Sequence, residues 1–159
     1  MHPAELRAGT QLPAGLGGGF TLEVNKMIIN FDIPSSGVLV IAGPQGCGKT
    51  TLAREIAEKE GAFHECRSDE LLNTFGLGRI LRKAPSTLII DVPPITRLKG
   101  KLFSKLRELI LGQGKKLEAP ILGGEPRTFP VPKLIICTSF AEPFLYSRGV
   151  TCLVLPGAQ

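Results

Sequence analysis

The chain has 159 residues, 43% of them hydrophobic and 21% charged, with a formal net charge of +5. This is the size and composition of one globular domain, enough to bury roughly 70% of the unfolded surface, and no run reaches the ~20 apolar residues of a membrane span. The four cysteines (Cys47, Cys66, Cys137, Cys152) are far apart and form no CxxC pair, which argues against a zinc site or disulfide framework and for a reducing compartment.

Residues 1–19 hold two prolines and five glycines, show little periodicity, and read as a flexible leader before one folded domain at 20–159. They lack the charged-then-apolar order of a secretory signal, so a cytoplasmic location is expected. Residues 20–24 alternate like a strand, Asn25-Lys26 turns, and residues 27–31 read as a second strand. This hairpin is expected to cap one edge of a sheet.

After the turn at Pro34-Ser35-Ser36-Gly37 comes an apolar strand, Val38-Leu39-Val40-Ile41-Ala42. It leads into Gly43-Pro44-Gln45-Gly46-Cys47-Gly48-Lys49-Thr50, and Thr51 opens a helical pattern reaching about Glu60, stopped by Gly61. Strand, glycine-rich turn and helix form the context of a phosphate-binding P-loop. The glycines let successive N–H groups point inward, and the helix N-terminus adds partial positive charge. Lys49 is expected to reach the β- and γ-phosphates of ATP, and Thr50 to offer its hydroxyl to Mg²⁺. Cys47 serves through its backbone N–H.

Residues 62–66 read as a short strand, and Ser68 as the cap of a helix at 69–72 with acids in its first turn. His64 has no metal-spaced partner and reads as structural. Residues 86–91 are an apolar strand ending in Asp91, a Walker B pattern. That strand is expected beside the P-loop strand, where its carboxylate would hold Mg²⁺. Residues 98–110 form an amphipathic helix with a basic face and a stripe of Leu102, Leu106, Leu109 and Ile110. A hairpin-like loop follows, with strand halves near 118–122 and 127–131 around Gly123-Gly124. Residues 133–139 are a buried strand ending in Thr138-Ser139, and 150–155 a last strand.

The charge is unevenly placed. Residues 79–118 carry ten Lys/Arg against three Asp/Glu, net +7, and the remainder nine against eleven, net −2. Such an excess fits either an anionic partner or a solvated basic face.

The order of landmarks, with Ile135-Ile136-Cys137-Thr138-Ser139 and Tyr146-Ser147-Arg148, resembles the ATPase domain of superfamily 3 helicases. These are AAA+-related motors of small viruses, phages and plasmids, and the likeness covers roughly residues 36–156. It implies an α/β P-loop NTPase three-layer sandwich with a mainly parallel sheet. It also implies an ATP- and Mg²⁺-dependent ATPase acting on nucleic acid in replication or packaging, in the cytoplasm or, for a viral protein, the host cytoplasm or nucleus. By the resemblance, Thr138 and Ser139 sense the γ-phosphate, although Phe140 stands where the family usually ends in Asn. Arg148 would reach a neighbouring subunit's nucleotide in a homo-oligomeric ring. The loop from Gly123 to Arg127 would touch single-stranded nucleic acid, with Lys99, Lys101, Lys115 and Lys116 as further cations.

One departure concerns the second acid that the family carries directly after the Walker B aspartate, whose place Val92 takes. Glu65 is the candidate stand-in for polarising the attacking water. The alternatives are an ATP-dependent assembly protein with little hydrolysis, or a small-molecule or nucleoside kinase using Arg79, Arg82 and Arg97 as phosphate clamps.

Overall fold

The computed structural model describes residues 21–24, 27–30, 33–34, 37–93, 99–139 and 150–156. The leader, Arg97, Phe140 and the Tyr146-Ser147-Arg148 stretch lie outside them.

The centre is a five-stranded parallel sheet of β3 (Val38–Ala42), β4 (Phe63–Arg67), β5 (Thr87–Asp91), β8 (Lys133–Thr138) and β9 (Val150–Val154), in the order β4-β5-β8-β3-β9. β3 is buried along its whole length, as its unbroken apolar sequence demands of a strand covered on both faces. Alternation along the strands sorts their side chains into two cores. Leu39, Ile41, Ile89 and Ile135 meet Leu52 and Ile56 of α1 (Lys49–Glu60) on one face. Val40, Ile90, Leu134 and Ile136 face the other side. There they meet Leu71 of α2 (Ser68–Leu72), Leu77 and Ile80 of α3 (Gly76–Arg82), and Leu102, Leu106 and Leu109 of α4 (Lys99–Leu111). Helix, sheet and helix make the three layers expected of an α/β P-loop NTPase fold.

Four expectations change. The Walker B strand does not lie beside the P-loop strand: β8 is inserted between β5 and β3 and pairs with both. The apolar run of β8 has both edges to satisfy and takes the most buried lane. The N-terminal hairpin, β1 (Thr21–Val24) with β2 (Met27–Asn30), forms a two-stranded sheet of its own and adds no strand to the sheet edge. Ser68 is the first residue of α2 and not its cap. Arg67 takes the cap position with no side-chain hydrogen bond, and Asp69 Oδ1 accepts the Glu70 N–H. The later hairpin pairs β6 (Lys116–Ala119) with β7 (Arg127–Pro130), so its first strand begins two residues earlier than its sequence indicates. Pro120 ends β6 because a proline donates nothing to a ladder.

Candidate nucleotide-binding site

β3 ends at Ala42, and the chain turns away under constraint. The Gly43 N–H donates to the Thr138 carbonyl at 3.1 Å, and the Leu155 N–H donates to the Ala42 carbonyl at 2.7 Å. A Cβ at Gly43 would lie 2.7 Å from Cys47 Sγ and 3.0 Å from the Leu155 carbonyl oxygen, so the loop base is closed to any side chain. Gly48 caps α1 in a left-handed conformation, φ 94°, which glycine adopts without steric cost. No side chain caps this helix, and its first turn holds no acid. Its first N–H groups and positive dipole end therefore remain available to an anion. The chemistry of the loop fits a triphosphate.

The Lys49 ammonium donates to the Gly43 carbonyl at 2.7 Å and the Pro44 carbonyl at 3.2 Å. These two bonds fold the side chain over the loop it is to serve. A cavity of about 480 Å³ opens beside it, lined by Gln45, Gly46, Gly48, Lys49, Thr50 and Thr51 from the loop and helix. Asp91, Val92, Pro93 and Ser139 supply the facing wall. Asp91 reaches this wall from two strands away because parallel strands end together, with Asp91 in register with Cys137.

Several assigned residues separate at this point. Ser139 lines the cavity, whereas Thr138 is buried and holds the loop through its backbone carbonyl. Val92 is 6% exposed, packs in the core on the side of the sheet away from α1, and donates its N–H to the Cys137 carbonyl at 2.8 Å. The position after the Walker B acid is thus an apolar wall. Glu65 points to the α1 side of the sheet but does not line the cavity. Its carboxylate takes a two-pronged contact from Arg54 on α1, at 2.5 and 2.9 Å. The hydrogen bonds from that guanidinium hold the Glu65 carboxyl below the usual carboxylate range, against the opposing effect of partial burial. Sequence reasoning did not anticipate Arg54, because nothing local links residue 54 to residue 65.

The buried thiol of Cys137 lies among these charges. Burial is the main cause that pushes its pKa up to about 12, with the negative charges of Asp91 and Glu65 adding to it and Lys49 opposing. That thiol stays protonated and acts as packing. His64 Nε2 sits 3.3 Å from Glu70 Oε2, a pairing consistent with a structural role. Arg79 and Arg82 belong to α3, and neither lines this cavity. The clamp that a kinase would take from them is therefore absent from the described site. Lys101, Lys115, Lys116 and Arg127 are exposed. Lys99 opens α4, and its side chain lies outside the described residues.

A parallel sheet, a glycine loop closing on a helix N-terminus, and a carboxylate two strands away at the same end of the sheet make a P-loop NTPase-like fold whose loop suits the phosphates of a nucleotide. Residues 39–112, from β3 through α4, match the model of the ATPase family associated with various cellular activities (AAA). The chain is also similar to the molybdenum import ATP-binding protein ModC 1 of Bradyrhizobium diazoefficiens, with 46% identity over 25% of this chain and 15% of that protein. It is 31% identical to the phosphate import ATP-binding protein PstB 3 of Natronomonas pharaonis, over 47% of this chain and 25% of that one. The matches thus span a quarter or less of those relatives' lengths. No helix among the described residues is long and apolar enough to cross a membrane.

Proposed function

We propose that the chain is a nucleic-acid-dependent ATPase of the superfamily 3 helicase type, acting in DNA or RNA replication or packaging. The observation that supports the ATPase part of this reading is the cavity in which Lys49, Thr50, Asp91 and Ser139 meet. Lys49 supplies the positive charge that a transferring phosphoryl group needs, exchanging its contacts with the Gly43 and Pro44 carbonyls for phosphate oxygens. Thr50 and Asp91 are the residues that would hold Mg²⁺, which when bound neutralises charge on the β- and γ-oxygens. Ser139 offers a hydroxyl to the γ-phosphate from the end of β8. Arg148 acts in trans in a homo-oligomeric ring, where a fixed guanidinium stabilises charge growing on the phosphoryl group. The exposed Lys101 and Lys116, with Lys99, are the cations offered to single-stranded nucleic acid; Arg127 and Lys115 lie at a separate groove at the other end of the sheet.

Glu65 lies outside the cavity lining and is held by Arg54; in this reading it polarises the attacking water once that ion pair opens. Arg54→Ala is then expected to raise turnover, and Glu65→Gln to lower it by about 10²-fold, the usual scale of a lost general base. Two observations favour a second reading, an ATP-dependent assembly protein with little hydrolysis: the buried Val92 and the ion-paired Glu65. Phosphate release with and without single-stranded DNA or RNA separates the two. Stimulated release supports the motor. Tight ATP binding with no release under either polymer supports the assembly protein.

A further inference from the structure

A second groove, of about 590 Å³, opens at the opposite end of the sheet from the nucleotide cavity. Its walls are the last turn of α3, the loop at residues 84–86, the end of β7 and the start of β8. Ser86 precedes β5 and Lys133 begins β8, so the length of a strand, about 13 Å for five residues, separates it from Asp91.

Three cations line the groove, Arg82, Arg127 and Lys133, and no carboxylate does. Lys133 is already engaged, donating to Glu60 Oε1 at 2.6 Å. Arg82 and Arg127 meet no carboxylate among the described residues. Lys83 is exposed beside Arg82, and the Lys115 carbonyl accepts the Val131 N–H, which adds a further exposed lysine at the rim. The rest of the wall is largely apolar. The loop that closes it holds Ala84 at φ 51°, the one left-handed non-glycine residue among those described. Strain of this kind persists only where its surroundings over-determine it.

These surroundings discriminate between two polyanions. A nucleic-acid strand seeks backbone donors for phosphate and open aromatic faces for its bases. Pro85, Pro130 and Pro132 have no N–H to donate. Phe129 is 6% exposed, and the Arg127 guanidinium covers its ring at 5.5 Å from the centroid. An apolar floor with two planar guanidinium groups above it instead suits apolar side chains flanked by carboxylates, which arginine grips in bidentate fashion.

We propose that this groove docks a short acidic, partly apolar peptide segment of a partner protein. Docking there leaves the nucleotide cavity open, so partner binding and ATP binding occur together.

The test is selection of a displayed library of random decapeptides on the full chain, followed by affinity measurement of a fluorescein-labelled selected peptide. The expected result is enrichment of peptides with two or more Asp/Glu beside Leu, Ile, Val or Phe. Affinity should fall at least about tenfold in Arg82→Ala/Arg127→Ala, the scale of one lost charge-assisted hydrogen bond, while ATP affinity stays unchanged. A Glu→Gln, Asp→Asn version of the peptide should lose the same affinity on the wild-type protein, which needs no variant to fold. The proposal is overturned if no acidic sequence is enriched, or if the neutralised peptide binds equally well. It also fails if an oligo(dT) of about 30 nucleotides, and not the peptide, loses affinity in the double variant.

Discussion

At the scale of single residues, the site is governed by which charges are already paired. Lys49 rests on two loop carbonyls, while Asp91 stands exposed at the end of β5. Glu65 is held by Arg54. A carboxyl whose folded pKa is depressed stabilises the fold above its unfolded value, about 4.3, and loses that contribution as pH falls through the folded value. Both partners are substantially exposed, so the effect is small. The melting temperature of the wild type should therefore exceed that of Glu65→Gln by at most about 3 °C at pH 7, with the gap shrinking as pH falls below about 4.3. Thermal melts across that range check it, and a gap that widens in acid would refute the pairing.

At the scale of elements, the P-loop was readable from sequence because it is local: eight consecutive residues carry the glycine spacing, lysine and threonine, and an apolar strand precedes them. The burial of Leu52, Ile56 and Ala57 is local in the same sense, set by their helical spacing, and Ala53 is buried beside them. What was not readable is non-local. The insertion of β8 between β3 and β5 depends on strand order, on which the apolar run at 134–137 is silent. The Arg54–Glu65 contact joins a helix to a strand across the edge of the sheet. Helix α3 escaped notice because Gly76 and Gly78 make its stretch read as a breaker. In the structure both are buried at close approaches, to the Glu70 and Pro120 carbonyls. The loop itself makes a sharp prediction. Gly43→Ala puts a methyl group against Cys47 Sγ and the Leu155 carbonyl, and overpacking of this kind costs roughly 1–3 kcal/mol. ATP affinity should drop with stability, measured by titration and urea unfolding. An alanine variant that matches wild type in both would show that the loop base is loose.

At the scale of the whole molecule, the two ends of the sheet present different chemistry. Nucleotide chemistry gathers at the C-terminal ends of the strands, where β3, β5 and β8 deliver the loop, Asp91 and Ser139. The cations that the sequence shows as one +7 segment are parted by the fold. Lys101 and Arg107 go to α4, whereas Arg82 joins Arg127 and Lys133 at the N-terminal ends. In the proposed ring assembly, Arg148 would matter only between subunits. Arg148→Ala should then leave ATP binding intact and cut turnover about 10³-fold or more, the scale of a lost arginine finger, in preparations whose oligomeric mass is unchanged. Unchanged turnover in the assembled variant would remove the trans role.

The nucleotide-dependent readings rest on the loop at Gly43 to Thr50 being a triphosphate site. The most direct measurement is equilibrium binding of ATP, with and without Mg²⁺, to the wild type and to Lys49→Ala. The wild type should bind ATP more tightly with Mg²⁺. Lys49→Ala should weaken binding by about 10- to 100-fold, the scale of a lost hydrogen bond from a charged donor, with the fold intact by circular dichroism. Equal affinity in the two proteins, or a wild type indifferent to ATP, would contradict the assignment.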